Sequence, residues 1–157
     1  MFTITYKILA DSVEIEMKGS KPRLVNYSSN LILIGTGRSA YVFKIKNKNQ
    51  ALKVYFPHKE RLALEEAAIY RGLQHIDFYP ALYDGGNNYI VIDFIEGYTL
   101  FQCLQRGIYL PEKKFKEISI ALKMAEKVGL NPADIHLKNI ILTLNDEVKV
   151  IDVARFR

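Results

Sequence analysis

Three polar residues in the last quarter of the chain have side chains that could act in catalysis. Asp134 precedes Asn139 by five residues, and Asn139 precedes Asp152 by thirteen. A carboxylate can accept a proton, and both carboxylates and amides accept hydrogen bonds. A loop followed by a strand hairpin can bring all three together. The spacing alone is weak evidence, because an ordered Asp, Asn and Asp with these gaps occurs by chance in roughly 2% of chains of this length, and such residues also serve as turn formers and strand-end caps.

A turn that begins at Gly35 contains two glycines two positions apart. Residues 35–42 read GTGRSAYV between two strand-like segments. Glycines let a backbone fold closely over phosphate groups, with its N–H groups pointing inward. A glycine pair in a hairpin is more often only a turn. Lys53, in the next strand-like segment, adds a cation and so supports the phosphate interpretation.

A helix predicted over residues 59–74 offers this lysine a partner. Its apolar stripe consists of Leu62, Ile69 and Leu73. At about 100° per residue, Glu66 lies about 40° from the centre of the stripe, whereas Glu65 lies about 60° off on the other side. An unpaired carboxylate on the buried face would cost several kcal/mol. We therefore predict an ion pair between Glu66 and Lys53.

Aromatic and β-branched residues predict that the first half of the chain is mainly an antiparallel sheet. Its strand-like segments read LILIG, YVFKIK, ALKVYF and YIVIDFI from residue 31 onward. Alternating apolar residues also predict a hairpin formed by residues 2–9 and 13–17. The helix over residues 59–74 interrupts the sheet.

Helices and a small hairpin are expected in the second half. A helix is predicted over residues 99–106, and a longer one lies between Pro111 and Gly129. The apolar face of the longer helix is formed by Phe115, Ile118, Leu122 and Ala125. Strands at residues 140–144 and 148–153 form the hairpin.

The composition of the 157-residue chain indicates one folded domain with a core of its own. Cys103 is the only cysteine, so no intrachain disulfide is expected and a reducing cytoplasm suits the protein. The longest apolar runs are strand-sized, and Asp11 and Glu14 interrupt the region where a signal peptide would be apolar. The net charge of +5 comes from dispersed Lys and Arg residues, including a group at 113–116, which we interpret as solvated surface. We therefore expect a cytoplasmic protein that binds neither membranes nor nucleic acid.

Six segments together resemble the protein-kinase-like superfamily over about residues 31–157. GTGRSAYV is similar to the glycine-rich loop, ALKV to the strand with the phosphate-binding lysine, and Glu66 to its helix partner. VIDFIEGYTL resembles the hinge, ADIHLKN the catalytic loop and VIDVAR the metal-binding segment. The resemblance implies an α+β, two-lobed fold. Residues 1–95, with the extra hairpin, would form the N-lobe, and residues 96–157 a reduced helical C-lobe.

The resemblance also implies that ATP and Mg²⁺ bind in a cleft between the lobes. Two glycines would cover the phosphates, and a lysine oriented by a glutamate would bind the α- and β-phosphates. Three apolar side chains would enclose the adenine, whose edge would contact the hinge backbone. The implied glycines are Gly35 and Gly37, and the lysine and glutamate are Lys53 and Glu66. The side chains around adenine would be those of Val42, Ala51 and Ile141, and the hinge backbone that of Asp93 and Ile95.

Four further residues would act on the phosphates or the acceptor, as the resemblance implies. Asp134 would accept the proton of the substrate hydroxyl, and His136 would lie near the γ-phosphate. Asn139 and Asp152 would hold the metal ion. Lys53 would assist these residues as a catalytic cation.

The chain also departs from typical protein kinases. Ala40 replaces the third glycine of the loop, and Pro132-Ala133 stands where His-Arg is usual, so activation by a phosphorylated loop is not expected. The pattern DIHLKN is nearer the atypical branch, which includes aminoglycoside, choline and RIO-type kinases. Only five residues follow Asp152, which suggests a minimal bacterial-type core truncated after this residue.

These features predict an ATP- and Mg²⁺-dependent phosphotransferase that acts on Ser/Thr hydroxyls of proteins. Two alternatives stay open. The DIHLKN pattern favours a small-molecule kinase, whereas the missing C-terminal platform favours a noncatalytic nucleotide-binding or scaffold protein. We also expect a partner subunit, or a second copy of the chain, to complete the substrate site.

Overall fold

The computed structural model describes residues 5–132 and 135–156. Antiparallel sheets and a few helices give an α+β fold, as predicted. The chain divides into two compact units. The first comprises the residues up to Ala67 together with Leu82–Phe94, and the second comprises Ala68–Ala81 together with the residues from Ile95 onward.

The first unit begins with a short helix and a hairpin. These elements are α1 (Tyr6–Asp11), β1 (Glu14–Lys18) and β2 (Lys21–Asn26). The hydroxyl of Thr5 caps α1 by accepting a hydrogen bond from the N–H of Ile8 at 3.2 Å. Such a cap satisfies one of the backbone donors that the first turn of a helix leaves without a partner.

The predicted hairpin of residues 2–9 and 13–17 is therefore wrong in its first strand. Residues 6–9 belong to α1, and β1 pairs with the later strand β2 instead. Alternating apolar residues in so short a segment also suit one turn of helix. The Thr5 cap and the burial of Leu9 and Ala10 favour the helix.

A five-stranded antiparallel sheet forms the largest part of the first unit. In spatial order its strands are β3 (Leu31–Thr36), β4 (Ala40–Ile45), β5 (Gln50–Tyr55), β7 (Tyr89–Asp93) and β6 (Leu82–Gly85). Four of them coincide with the segments LILIG, YVFKIK, ALKVYF and YIVIDFI, whose prediction as strands is confirmed. Residues rich in β-branched and aromatic side chains suit a pleated surface that is buried on at least one face.

The two faces of this sheet have different surroundings. Phe43, Leu52 and Val91 form a core with α1 and the hairpin of β1 and β2. Burying a large apolar side chain contributes about 1.5–3 kcal/mol, so this face supplies much of the stability of the unit. Because side chains alternate along a strand, Lys53 on β5 points to the opposite face.

The helix predicted over residues 59–74 is confirmed. A short 3₁₀ helix at Pro57–Lys59 leads into α2 (Arg61–Gly72). Its buried residues include Ala63, Glu66, Ala67, Ile69 and Tyr70. Leu62, which we placed on the apolar stripe, is only half-buried.

The second unit contains two further helices and a three-stranded sheet. They are β8 (Gly97–Thr99), α3 (Leu100–Gln105), α4 (Glu112–Lys127), β9 (Ile140–Thr143) and β10 (Val148–Val150). The strands lie in the order β8, β9, β10, all antiparallel. Both helices and the β9–β10 hairpin confirm the predictions, except that β10 ends at Val150 and not at residue 153. The strand β8 was not predicted, because a three-residue strand has too few residues for a recognisable pattern.

The buried face of α4 differs from the prediction, because only one of the four residues predicted for it, Ala125, is fully buried. Phe115 is exposed, whereas Lys114 is 5% exposed. The Nζ atom of Lys114 lies 3.3 Å from Oδ2 of Asp146 and 3.5 Å from Oε2 of Glu117, and it also donates to the Asp146 carbonyl. The interpretation of the 113–116 group as solvated surface is thus wrong for Lys114, because the β9–β10 turn supplies its acceptors.

The longest described helix, α4, has 16 residues. Across residues 5–132 and 135–156, no helix combines the length and the apolar character needed to cross a membrane.

Candidate functional site

An ion pair connects the middle of the five-stranded sheet to α2. The Nζ atom of Lys53 lies 3.0 Å from both Oε1 and Oε2 of Glu66. The Glu66 side chain is only 3% exposed, and that of Lys53 is 19% exposed. The predicted pairing is confirmed, with Glu66 and not the exposed Glu65 as the partner.

Burial determines what this pair contributes. Taking two charges out of water offsets most of their mutual attraction, so an intact buried pair adds little net stability. Removing one partner leaves a buried charge uncompensated and costs about 3–5 kcal/mol. The pair is therefore better explained by the fixed position it gives the Lys53 ammonium group than by a gain in stability.

We expect the two members of this pair to be strongly coupled in stability. Lys53→Met should lower the free energy of unfolding by about 3 kcal/mol, because it leaves the Glu66 carboxylate without its counter-charge. Adding Glu66→Gln should restore part of this loss, since no charge then remains buried. Urea unfolding of the two single variants and the double variant measures the coupling energy.

The exposed ion pair of Lys7 and Asp11 provides a matched control. Its atoms are 2.7 Å apart, but the side chains are 73% and 58% exposed. The cycle of Lys7→Met and Asp11→Asn should give a coupling energy of at most about 0.5 kcal/mol. A coupling energy between Lys53 and Glu66 as small as that of the surface pair would contradict the prediction.

Tyr55 is a site residue that the sequence analysis missed. Its hydroxyl donates a hydrogen bond to Oε2 of Glu66, and its ring centroid lies 5.3 Å from Nζ of Lys53. Tyr55 follows Lys53 by two residues on β5, so both side chains lie on the same face of the sheet. This spacing was the available signal, because a polar side chain two positions from a functional one on a strand points the same way.

The turn between β3 and β4 leaves its glycines uncovered by the chain. Gly35 pairs with Val42, and the N–H of Gly37 donates to the Ala40 carbonyl at 2.9 Å. Within the described residues, a Cβ on Gly35 would meet no atom within 4 Å, and one on Gly37 would meet only the Ala40 carbonyl oxygen at 3.7 Å. Neither glycine has a positive φ angle. The described part of the chain therefore does not itself require glycine at these positions, and the side of the turn where a Cβ would lie is open.

Two apolar residues predicted to contact adenine lie beside the lysine. Val42 is the direct cross-strand partner of Lys53, and Ala51 precedes Lys53 by two residues on β5. Paired residues and alternate residues share a face of a sheet. The structure therefore brings Val42, Ala51 and Lys53 to one surface.

The predicted hinge residue Asp93 ends β7, and its side chain accepts a hydrogen bond. Its Oδ1 accepts a hydrogen bond from the hydroxyl of Tyr83 at 2.5 Å. This hydrogen bond, with smaller contributions from burial and charge, raises the pKa of Tyr83 to about 12. The backbone of Asp93, which we expect to contact adenine, is separate from this interaction. Ile95, the other hinge residue, is the first residue of its segment in the second unit.

Asn139 and Asp152 are brought together within the second unit. Asn139 ends a short 3₁₀ helix (Leu137–Asn139), and its carbonyl accepts a hydrogen bond from the N–H of Ile151 at 2.7 Å. Asp152 follows directly, is exposed and has a φ of 59°. Non-glycine residues with such φ values are uncommon, and they cluster at functional sites.

These two side chains fit a magnesium ion. An amide oxygen and a carboxylate are hard ligands, and Mg²⁺ commonly takes one or two protein carboxylates together with water and phosphate oxygens. In the described part of the chain, no hydrogen bond or ion pair occupies the Asp152 carboxylate. No group of three or more His, Cys, Asp or Glu residues that could hold a metal occurs there either. A metal at this position would therefore depend on phosphate and water for its remaining ligands.

The other predicted residues of the second unit vary in their placement. Asp134, the predicted catalytic base, lies outside the described residues, so its role stays a prediction. His136 is exposed and precedes the 3₁₀ helix, where its carbonyl accepts the N–H of Asn139 at 2.9 Å. Ile141 is buried on β9.

Known proteins resemble this chain in fold and in sequence. A crystal structure of monomeric WbdD matches with a TM-score of 0.64 at 18% identity, covering 90% of this chain and 43% of that one. At this identity the match concerns the fold alone. Aurora kinase C of Mus musculus is 30% identical over an alignment of 136 residues, with 76% of this chain and 49% of that kinase covered. The chain thus spans less than half the length of either protein. No family model matches it.

A bacterial relative is similar over nearly the whole chain. The chain is 43% identical over 150 residues to a protein of Bacillus subtilis (strain 168) named "Putative serine/threonine-protein kinase YrzF", with 94% of this chain and 70% of that protein covered. The chain therefore belongs to the protein-kinase-like family.

Proposed function

We propose that this protein is an ATP- and Mg²⁺-dependent phosphotransferase that phosphorylates Ser/Thr hydroxyls of proteins. The buried ion pair of Lys53 and Glu66 carries the proposal. It holds a cation on the sheet face that also bears Val42 and Ala51. A nucleoside triphosphate requires a fixed positive charge for its phosphates and an apolar surface for its base, and this arrangement supplies both.

The first unit would bind most of the nucleotide. Lys53 would contact the α- and β-phosphates, and the N–H groups of the turn at Gly35 and Gly37 would face the phosphate oxygens. The residues proposed to contact adenine are Val42, Ala51 and Ile141 through their side chains, and Asp93 and Ile95 through their backbone.

The second unit would supply the groups that act at the γ-phosphate. Asp134 would accept the proton of the acceptor hydroxyl. At the same time the hydroxyl oxygen would bond to the γ-phosphorus, and the bond between this phosphorus and the leaving ADP would break. His136 would stabilise charge on the transferring group, and Asn139 and Asp152 would hold Mg²⁺. When bound, Mg²⁺ neutralises charge on the phosphates. Phosphoryl transfer depends mainly on positioning and charge stabilisation, which these residues can provide.

The identity of the acceptor group is proposed from the names of the relatives and from the sequence. The names of the relatives support protein Ser/Thr hydroxyls, whereas the DIHLKN pattern favours a small molecule and a place near the aminoglycoside and RIO-type kinases. We further propose residues 1–95 and 96–157 as the N-lobe and a minimal C-lobe. A reducing cytoplasm suits the single, buried Cys103.

Labelled ATP tests these proposals together. The protein is incubated with γ-labelled ATP and Mg²⁺, alone and with cell extract, and Lys53→Met serves as the control for contaminating kinases. Label on protein that is lost with Lys53→Met supports the proposal. Label only in small metabolites indicates a small-molecule kinase, and ATP binding without transfer indicates a noncatalytic module. Absence of ATP binding would reject a nucleotide site.

The glycine turn gives a prediction that separates binding from stability. Gly35→Ala and Gly37→Ala should change the free energy of unfolding by less than about 1 kcal/mol, because the added methyl group meets open space and can even stabilise the chain through its unfolded state. The same variants should weaken ATP binding, because the methyl group obstructs phosphates that approach the backbone. Calorimetric titration with ATP and Mg²⁺, together with urea unfolding, measures both effects.

Gly97→Ala is the matched control for this prediction. A Cβ on Gly97 would clash with the backbone of Leu142 and Thr143 in the neighbouring strand β9. This variant should therefore lose stability, in contrast to the two variants of the turn. If Gly35→Ala and Gly37→Ala lose stability as Gly97→Ala does and bind ATP normally, the turn is structural.

A further inference from the structure

Tyr55 contacts both members of the buried ion pair. Its hydroxyl donates to Oε2 of Glu66, and its ring lies beneath the ammonium group of Lys53, with 5.3 Å between Nζ and the ring centroid. Tyr55 is itself only 1% exposed. Since it is enclosed on a central strand, its hydroxyl has a fixed position relative to Glu66.

The hydrogen-bonding capacity of the pair explains why a third group is useful. Lys53 has three N–H donors, and its Nζ is within hydrogen-bond distance of both oxygens of Glu66. With both bonds kept, one N–H is left, so a lysine that contacts both the α- and the β-phosphate must give up one of its bonds to Glu66. A buried carboxylate oxygen left without a donor is strongly unfavourable. Tyr55 already donates to Oε2, so this oxygen keeps a partner when the ammonium group turns.

We propose that Tyr55 is a positioning residue for nucleotide binding. It holds the Glu66 carboxylate in place, which lets Lys53 divide its donors between Glu66 and a nucleotide phosphate. Tyr55 acts through Glu66 and does not contact the nucleotide. The inference rests on the proposed function, because it assumes that Lys53 binds phosphate.

Tyr55→Phe tests the hydroxyl alone, since the ring beneath Lys53 remains. We expect the Kd for ATP with Mg²⁺ to rise about 10-fold, the size associated with losing one hydrogen bond to a charged group. The Kd for adenosine, which has no phosphate, should change by less than about 2-fold. Titration calorimetry with the two ligands makes the comparison. An equal loss for adenosine would indicate a general structural role and overturn the proposal.

Tyr89→Phe is the matched control. The Tyr89 hydroxyl donates to Oδ2 of Asp84 at 2.7 Å, and Tyr89 is 6% exposed in the same sheet. Its side chain belongs to the core on the opposite face from Lys53. This variant therefore loses a similar hydrogen bond at a distance from the site. The Kd for ATP should stay within about 2-fold of that of the unaltered protein, and a 10-fold rise would overturn the proposal.

A second background shows whether Tyr55 acts through Glu66. In Glu66→Gln no buried charge depends on the hydroxyl, so adding Tyr55→Phe should change the Kd for ATP by less than about 2-fold. A full 10-fold loss in this background would overturn the proposal. If Tyr55→Phe folds only when Glu66→Gln is also present, the coupling is supported directly. Failure of both variants to fold would instead assign Tyr55 a structural role.

The unaltered protein distinguishes this inference from the proposed function. If it does not bind ATP, the nucleotide site is rejected and the role of Tyr55 with it. If it binds ATP and Tyr55→Phe binds equally well, only the positioning role is rejected.

Discussion

Asp134→Asn should reduce phosphoryl transfer by about 10²-fold or more while leaving the affinity for ATP nearly unchanged, because general-base assistance is worth roughly 10²–10⁴-fold. An amide of the same size cannot accept the proton of the attacking hydroxyl. It remains able to accept hydrogen bonds, so position 134 keeps a polar side chain. The turnover rate at saturating ATP and the Kd from calorimetry are the two measurements.

Asp77→Asn is the control for this variant. Asp77 is an exposed residue of the second unit, and its carbonyl, not its carboxylate, accepts a hydrogen bond from Lys149. The same chemical change there should leave transfer within about 2-fold of that of the unaltered protein. If Asp134→Asn lowered binding and transfer in parallel, Asp134 would be a structural residue and the base would have to be sought elsewhere.

Asp152→Ala should abolish the metal dependence of stabilisation by ATP. In the unaltered protein, ATP at 100 times its Kd should stabilise the fold by about 2.7 kcal/mol and raise the Tm by about 5–10 °C. This shift should require Mg²⁺ and be small with EDTA, because Asp152 would hold the metal ion that offsets the charge of the phosphates. In the variant, thermal melts with ATP should coincide in Mg²⁺ and in EDTA.

Backbone strain must be separated from metal binding in this experiment. Asp152 has a φ of 59°, a conformation that alanine adopts with difficulty. Asn47→Ala is the control, because Asn47 is exposed and has a φ of 63° in a turn of the first unit. Asp152→Asn removes the charge but tolerates this backbone. An undiminished Mg²⁺-dependent shift in both Asp152 variants would reject the metal assignment.

In the sheet of the first unit, the core residues and the residues of the proposed site lie on opposite faces. Phe43 and Leu52 face the core formed with α1 and the N-terminal hairpin, whereas Val42 and Lys53 face the other way. Because neighbouring positions on a strand alternate, a polar site and an apolar core can occupy the same strands. The rigid core holds the backbone under Lys53, and so fixes its ammonium group relative to Glu66.

The elements that local interactions specify could be predicted from the sequence. The strands β4, β5 and β7 follow from runs of β-branched and aromatic residues, and α3 and α4 follow from capping residues and terminal glycines. The ion pair of Lys53 with Glu66 could also be predicted. Helical geometry places Glu66 near the apolar stripe of α2, and the cost of burying a carboxylate requires a cation nearby. Ordered short motifs were enough to indicate the protein-kinase-like family.

Only the tertiary structure shows features that depend on residues distant in the chain. The acceptors of Lys114 include Asp146, 32 positions later, and nothing in the pattern of α4 indicates that this lysine is buried. The pairing of β8 with β9 likewise depends on backbone hydrogen bonds between separate segments. In the sequence, Tyr55 looks like other aromatic residues of a strand. Only the packing of α2 shows that its hydroxyl donates to Glu66. Composition and periodicity report the local preference of a segment, whereas the burial of a charge and the partner of a hydroxyl are decided by whichever segment packs against it.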